Sequence, residues 1–148
     1  MFGKTFGPPT LLLLLFVSGS GCSNKPDDGL KEFQGTWQLV LQDDRRGKAD
    51  PEAVKKTTII VQKDRYKVAQ EGKVADEFVI RLDPEKKPAE IDFVILDGPN
   101  QGKTEKGIYV LEGNKLKICV ADMGKDRPTE FALKDGKPWA LLVLQKKE

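Results

Sequence analysis

From Leu30 onward, apolar residues fall into short runs in which about every second position is hydrophobic, and glycine, proline, aspartate and asparagine separate the runs. Alternation of this kind puts successive side chains on opposite faces of an extended chain, so it predicts strands with one buried face. Gly35 to Leu41 is the clearest case: Trp37, Leu39 and Leu41 share one face, and Thr36, Gln38 and Gln42 share the other. Thr57 to Val61 is rich in β-branched residues, and Tyr66 to Val68 follows across Lys63-Asp64. Phe78, Ile80 and Leu82 line a run that stops at Asp83-Pro84. Ile91, Phe93 and Ile95 line the next, which ends in the turn-forming Asp97-Gly98-Pro99-Asn100. Gly107 to Leu111 and Lys115 to Ala121 flank Glu112-Gly113-Asn114, a hairpin signal in which glycine supplies a positive φ. Phe131 to Leu133 and Trp139 to Gln145 read as a last pair around Lys134-Asp135-Gly136-Lys137. Helical periodicity is nearly absent. Only Asp50 to Lys56 predicts a helical turn, with Asp50 as its cap and Pro51 at its first position.

Many short antiparallel strands in roughly 120 residues must hide one face and deal with their edges, either by closing or by packing as two sheets. The expected fold is therefore all-β: a small antiparallel β-barrel of about eight strands, with a two-sheet β-sandwich as the alternative. A barrel of that size is either filled by side chains or holds one small ligand. Trp37, Leu39, Phe78, Ile80, Phe93 and Ile108 are the candidate lining of such a cavity.

The first residues follow another logic. Lys4 gives a weakly positive start, Thr10 to Val17 is an unbroken run containing five consecutive leucines, and Ser18-Gly19-Ser20-Gly21 leads to Cys22. Positive end, short apolar core and small-residue cleavage site are the layout of an export signal. The run is too short for a bilayer-spanning helix, which needs about 20 residues. Gly21-Cys22 resembles the bacterial lipobox, in which the cysteine becomes the new N-terminus and carries lipid; Gly19 stands where a lipobox usually has leucine. Thus residues 1–21 read as a signal peptide and 22–29 as a lipidated cysteine and tether. Residues 30–148 read as one domain. The expected location is extracytoplasmic, on a bacterial membrane facing the periplasm or cell envelope, with the membrane as partner through the Cys22 lipid. Ordinary cleavage with release, and no processing, are the alternatives.

Composition narrows the chemistry. Charged residues make up 32% of the 148, the net charge is only +2, and both signs are interspersed, which gives no concentrated basic face for nucleic acid. Histidine is absent, which removes the Ser-His-Asp and Cys-His arrangements and most zinc-enzyme ligand sets. The glycines are scattered at turns and form no phosphate-binding fingerprint, and Asp43-Asp44 lies outside any calcium-loop spacing. No cofactor or metal is implied.

Four phrases stand out together: Leu30-Lys31-Glu32-Phe33-Gln34-Gly35-Thr36-Trp37, Pro88-Ala89-Glu90-Ile91-Asp92-Phe93, the stretch from Gly107 to Cys119, and Arg127-Pro128-Thr129-Glu130-Phe131. In combination, from about Leu30 to Lys147, they resemble an uncharacterised domain family abundant in planctomycete bacteria, whose members are often exported and lipocalin-like in strand pattern. The likeness implies no activity. Gly35-x-Trp37 and a basic residue near the end of the last strand are also similar to lipocalins. There the tryptophan closes the barrel floor beneath a basic side chain, which implies barrel closure by Trp37 with Lys146 or Lys147.

Other residues are weighed singly. Alternation puts Cys119 and Lys117 on the face opposite Leu116, Ile118 and Val120, which predicts a shielded thiol beneath a neighbouring segment. Trp139, at the start of the last strand, is expected to pack. Asp92 and Arg81 interrupt apolar runs, Arg127 adds a base, and Tyr109 is read on the Asp92 face. Salt bridges or solvated faces are the expected roles; an enzyme would have to work with carboxylates, Tyr109, lysines or Cys119, and Asp92, Arg81 and Tyr109 in one cleft would point to it. The leading functional expectation is a non-enzymatic extracytoplasmic binding module for a small apolar or amphipathic ligand. The alternative is a cell-envelope protein-interaction or structural domain without a pocket, which one exposed patch of Val94, Leu96, Leu142 and Leu144 would indicate.

Overall fold

The computed structural model of the chain describes residues 29–133 and 136–148. The leader, Cys22, the tether through Asp28, and Lys134-Asp135 lie outside the described residues. In chain order the elements are α1 (Leu30–Phe33), β1 (Gly35–Asp44), β2 (Gly47–Lys48), α2 (Pro51–Lys55), β3 (Thr57–Gln62), β4 (Arg65–Gln70) and β5 (Lys73–Asp83). They continue with β6 (Ala89–Ile95), β7 (Thr104–Glu112), β8 (Lys115–Ala121) and β9 (Trp139–Lys146). Each strand from β3 to β9 pairs antiparallel with the next; β1 pairs with β3 on one side and β9 on the other. The result is a closed, eight-stranded antiparallel barrel with lipocalin-like strand order, and not a two-sheet sandwich. β2 is a two-residue ribbon on the far end of β1. Closure leaves no long edge to template aggregation.

Short connections follow their local chemistry. The β7–β8 hairpin turns through Gly113-Asn114, with Gly113 at φ 59 where an L side chain is strained. α2 forms where its cap predicted: the Asp50 carboxylate accepts from the Glu52 N–H at 3.1 Å, and Pro51 opens the helix.

Two sequence expectations change. β1 carries a bulge at Val40, between the pairs Leu39↔Leu144 and Leu41↔Val143. One extra residue reverses the phase of the strand. Trp37 and Leu39 therefore point inward as expected, but Leu41 turns outward and Gln42 turns in, opposite Leu142. Phe131 to Leu133 is no strand; β9 pairs directly with β8 and β1.

Residues 122–133 instead cross the outside of the barrel, where Phe131 and Leu133 pack on Ile108, Cys119, Ala121 and Trp139. This strip is buried on both faces, which explains the unbroken apolar runs 108–111 of β7 and 118–121 of β8. Arg127 pins the segment down. Its Nη1 donates to the carbonyls of Gly107 at 2.8 Å and Ile91 at 3.3 Å, and its charge faces Asp92 and Glu90.

One end of the barrel is sealed by α1. Leu30 and Phe33 enter the main core beside Trp37, Ile91, Leu116 and Leu144, and the Phe33 and Tyr109 rings meet edge to face at 5.0 Å. The Trp37 indole N–H donates to the Phe33 carbonyl at 2.9 Å. Gln34 ties α1 to the β3–β4 turn: its side chain accepts from the Lys63 N–H at 2.7 Å and donates to the carbonyls of Lys63 and Leu30.

Candidate functional site

At the end opposite α1 the interior stays open. A cavity of about 300 Å³ is lined from all eight barrel strands, at the lower end of roughly 300–1,000 Å³ typical of small-molecule sites. Its apolar wall includes Leu39, Ile59, Phe78, Phe93, Val120 and Leu142. Tyr66, Phe78 and Phe93 form an edge-to-face cluster with ring separations of 5.1 to 6.4 Å.

Polar groups interrupt this wall because the inner rows of several strands change character towards the open end. The register puts Asp76 in the row of Phe78 and opposite Val68, and Glu105 opposite Phe93. Gln70 stands opposite Thr57 in the same way, and all four line the cavity. Glu105 is partly withdrawn from water; burial raises its carboxyl above the usual range, and the nearby charges of Asp122 and Asp76 push it in the same direction. The Tyr66 hydroxyl is fully buried, with no hydrogen-bond partner among the described residues, an arrangement that costs about 1–3 kcal/mol. Burial also raises its phenol well above the ordinary value.

The candidate residues read from the sequence divide into three groups. Leu39, Phe78 and Phe93 lie on the cavity wall. Trp37 and Ile80 point inward but belong to the packed core beneath it. Ile108 is corrected: it sits on the outer face under residues 122–133, because covering of that face makes apolarity there a poor marker of the interior. The Lys146 ammonium lies 5.4 Å from the centre of the Trp37 ring, while Lys147 joins β1 only through its N–H to the Thr36 carbonyl.

The polar residues of the cavity lining, Gln42, Gln70, Asp76 and Glu105, are those that sequence reasoning missed. Asp76 and Glu105 keep the strand phase of Phe78 and Gly107 but fall outside the apolar runs. Gln42 is turned inward by the bulge, which leaves no mark in the alternation.

The surface groups are structural in their geometry. Arg81 and Asp92 are cross-strand neighbours on the outside, whereas Tyr109 points inward against Phe33, so these three do not share a cleft. Arg127 Nη1 is 2.8 Å from Asp92, but its N–H bonds are directed at carbonyls, so that contact is Coulombic. Cys119 is fully buried, and burial with the charge of Glu130 pushes its thiol up to about 11, which suppresses the nucleophilic thiolate. Trp139 packs beside it. Leu142 and Leu144 face the barrel interior, so they form no outer patch with Val94 and Leu96. Among the described residues no three metal-ligating side chains cluster, and no helix is long and apolar enough to cross a membrane.

No family model, curated protein or solved structure matches the chain. The resemblance to the planctomycete domain family thus gains nothing from these comparisons, whereas the lipocalin-like barrel stands on its own topology.

Proposed function

We propose that this protein is a non-enzymatic binding module that takes a small apolar or amphipathic molecule into the open end of its barrel. The observation that carries the reading is the cavity of about 300 Å³ reached by all eight strands, in a fold whose other end is plugged by its own helix. A side-chain-filled barrel needs no such space, and an interior hydroxyl without a protein partner has a use once a ligand occupies it. The module works outside the cytoplasm, held to a membrane by a lipid on Cys22 and displayed on the tether that follows. Its affiliation with the exported planctomycete domain family is part of the same proposal and rests on the four phrases quoted above.

The test uses the full chain carrying Cys22→Ser, which removes the acceptor for lipid, and an uncharged probe, 1-naphthalenemethanol. Saturable one-to-one binding by calorimetry is expected, abolished by Ala140→Phe, which fills the cavity from β9 without altering the sealed end. A folded protein that binds no probe, or an Ala140→Phe variant that binds as well as the parent, would overturn the reading in favour of an envelope-interaction domain. Anchoring is tested separately: the parent chain should partition with membranes and yield a diacylglyceryl-modified N-terminal peptide, and Cys22→Ser should be released.

A further inference from the structure

We infer that the ligand is cationic: a small amphiphile with a positively charged nitrogen at the mouth, beside Asp76 and Glu105, and an apolar body against Phe78 and Phe93. The inference rests on the reading of the barrel as a binding module and names the class of ligand.

Charge at the cavity is one-sided. Its lining contains two carboxylates and no lysine or arginine, although the chain as a whole holds 25 basic residues against 23 acidic ones. Several carboxylates elsewhere do find cations: Asp44, Glu77, Glu90, Asp92 and Asp122 each face an arginine within 4 Å. Asp76 and Glu105 have no such partner among the described residues. Glu105 is partly buried beside like charges, so an entering cation would relieve a repulsion that the protein leaves uncompensated.

An independent mark comes from Tyr66, whose hydroxyl is sealed on the cavity wall without a partner among the described residues. A nitrogen carrying N–H groups offers the donor that this oxygen lacks. The surrounding rings of Tyr66, Phe78 and Phe93 are also favourable neighbours for positive charge. An inorganic cation fits less well, because two carboxylates on an apolar wall are not a metal-ligand set.

The experiment compares three probes with one naphthalene body: 1-naphthylmethylammonium, uncharged 1-naphthalenemethanol and anionic 1-naphthoate, titrated at low salt into the full chain carrying Cys22→Ser. The ammonium is expected to bind about tenfold tighter than the alcohol, with the carboxylate weakest. Adding Asp76→Asn with Glu105→Gln should abolish the preference for the ammonium over the alcohol. Tyr66→Phe, which retains the ring, should weaken the ammonium severalfold. Equal or tighter binding of the carboxylate, or a cation preference that survives the double substitution, would overturn this inference alone. Failure of all three probes to bind would overturn the binding-module reading and this inference with it.

Discussion

The two ends of the barrel are built from the same eight strands and obey opposite rules. At the sealed end Phe33, Trp37, Ile91, Leu116 and Leu144 are fully buried, and the polar atoms among them are paired. At the open end the same inner rows run into side chains that suit a core poorly. On β5 the row passes from Leu82 through Ile80 and Phe78 to Asp76, and on β7 from Leu111 through Tyr109 and Gly107 to Glu105. On β3 it passes from Val61 and Ile59 to Thr57, and on β4 from Tyr66 and Val68 to Gln70. Packing is thus completed in one half, and the other half is left to carry groups that cost stability. Natural proteins tolerate that cost where a site needs it.

The largest expected effect lies at the sealed end. Trp37→Ala removes a fully buried ring, the hydrogen bond to the Phe33 carbonyl and the surface beneath Lys146. About 3–5 kcal/mol should be lost in urea unfolding. Phe78→Ala, at the open end, leaves a wall that already borders empty space, and about 1–2 kcal/mol is expected. Equal losses would mean that the two ends are packed alike, and the division drawn here would fail.

Gly107 marks the border, between Glu105 of the open half and Tyr109 of the sealed half on one face of β7. A methyl group there would come 2.8 Å from the Cys119 carbonyl oxygen and 3.2 Å from Ile91 Cγ2. The first is backbone and cannot swing aside, so Gly107→Ala should cost about 1–3 kcal/mol by the same unfolding measurement. A neutral result would show that β7 and β8 can separate locally without loss.

How much of this division was legible in the sequence depended on phase. The sealed end was readable because its strands alternate cleanly: Trp37 with Leu39, Ile91 with Phe93, Leu116 with Ile118. The basic closure over Trp37 was readable as a resemblance, down to a choice of two lysines. At the open end only the apolar wall residues Leu39, Phe78 and Phe93 were readable; its polar groups were missed for three physical reasons. Its inner residues are polar, so they ended the apparent strands early. The Val40 bulge reversed β1, and Val40 itself, at 55% exposure, looks like an ordinary strand residue. Finally, the covering of β7 and β8 by residues 122–133 made Ile108 look internal, and Tyr109 external, when the reverse holds. Alternation reports which side of a strand is dry; it does not report which side is the barrel interior when both are.

That outer segment supplies a third, smaller effect. Arg127→Ala removes two hydrogen bonds to strand carbonyls and the charges facing Asp92 and Glu90. A loss of about 1–2 kcal/mol is expected, with little change at the cavity. Because the segment covers Cys119, disulfide-exchange labelling at pH 8 gives a sensitive readout. The thiol, raised to about 11, should label slowly in the parent and about tenfold faster in the variant, through more frequent opening. An unchanged rate would show that the segment is held by Phe131, Leu133 and Pro128 rather than by the arginine.

The smallest expected effect has the opposite sign and bears most directly on the open end. Burial and the charges of Asp122 and Asp76 raise the Glu105 carboxyl above its ordinary 4.5, so the folded chain holds this proton more tightly than the unfolded chain does. Stability must then fall as pH rises from the ordinary value through the raised one, and above that the penalty is fully present. Glu105→Gln removes the ionisation and should raise unfolding stability at pH 7, by less than about 1 kcal/mol after allowance for solvent screening of a half-exposed group. The gain should fade as pH falls towards the ordinary carboxylate range, where Glu105 is protonated in both states. A loss of stability at pH 7 would mean that the carboxylate is held by favourable contacts and has no need of a cation. A gain that shrinks on acidification would identify a charge kept at the mouth of the barrel against the interest of folding.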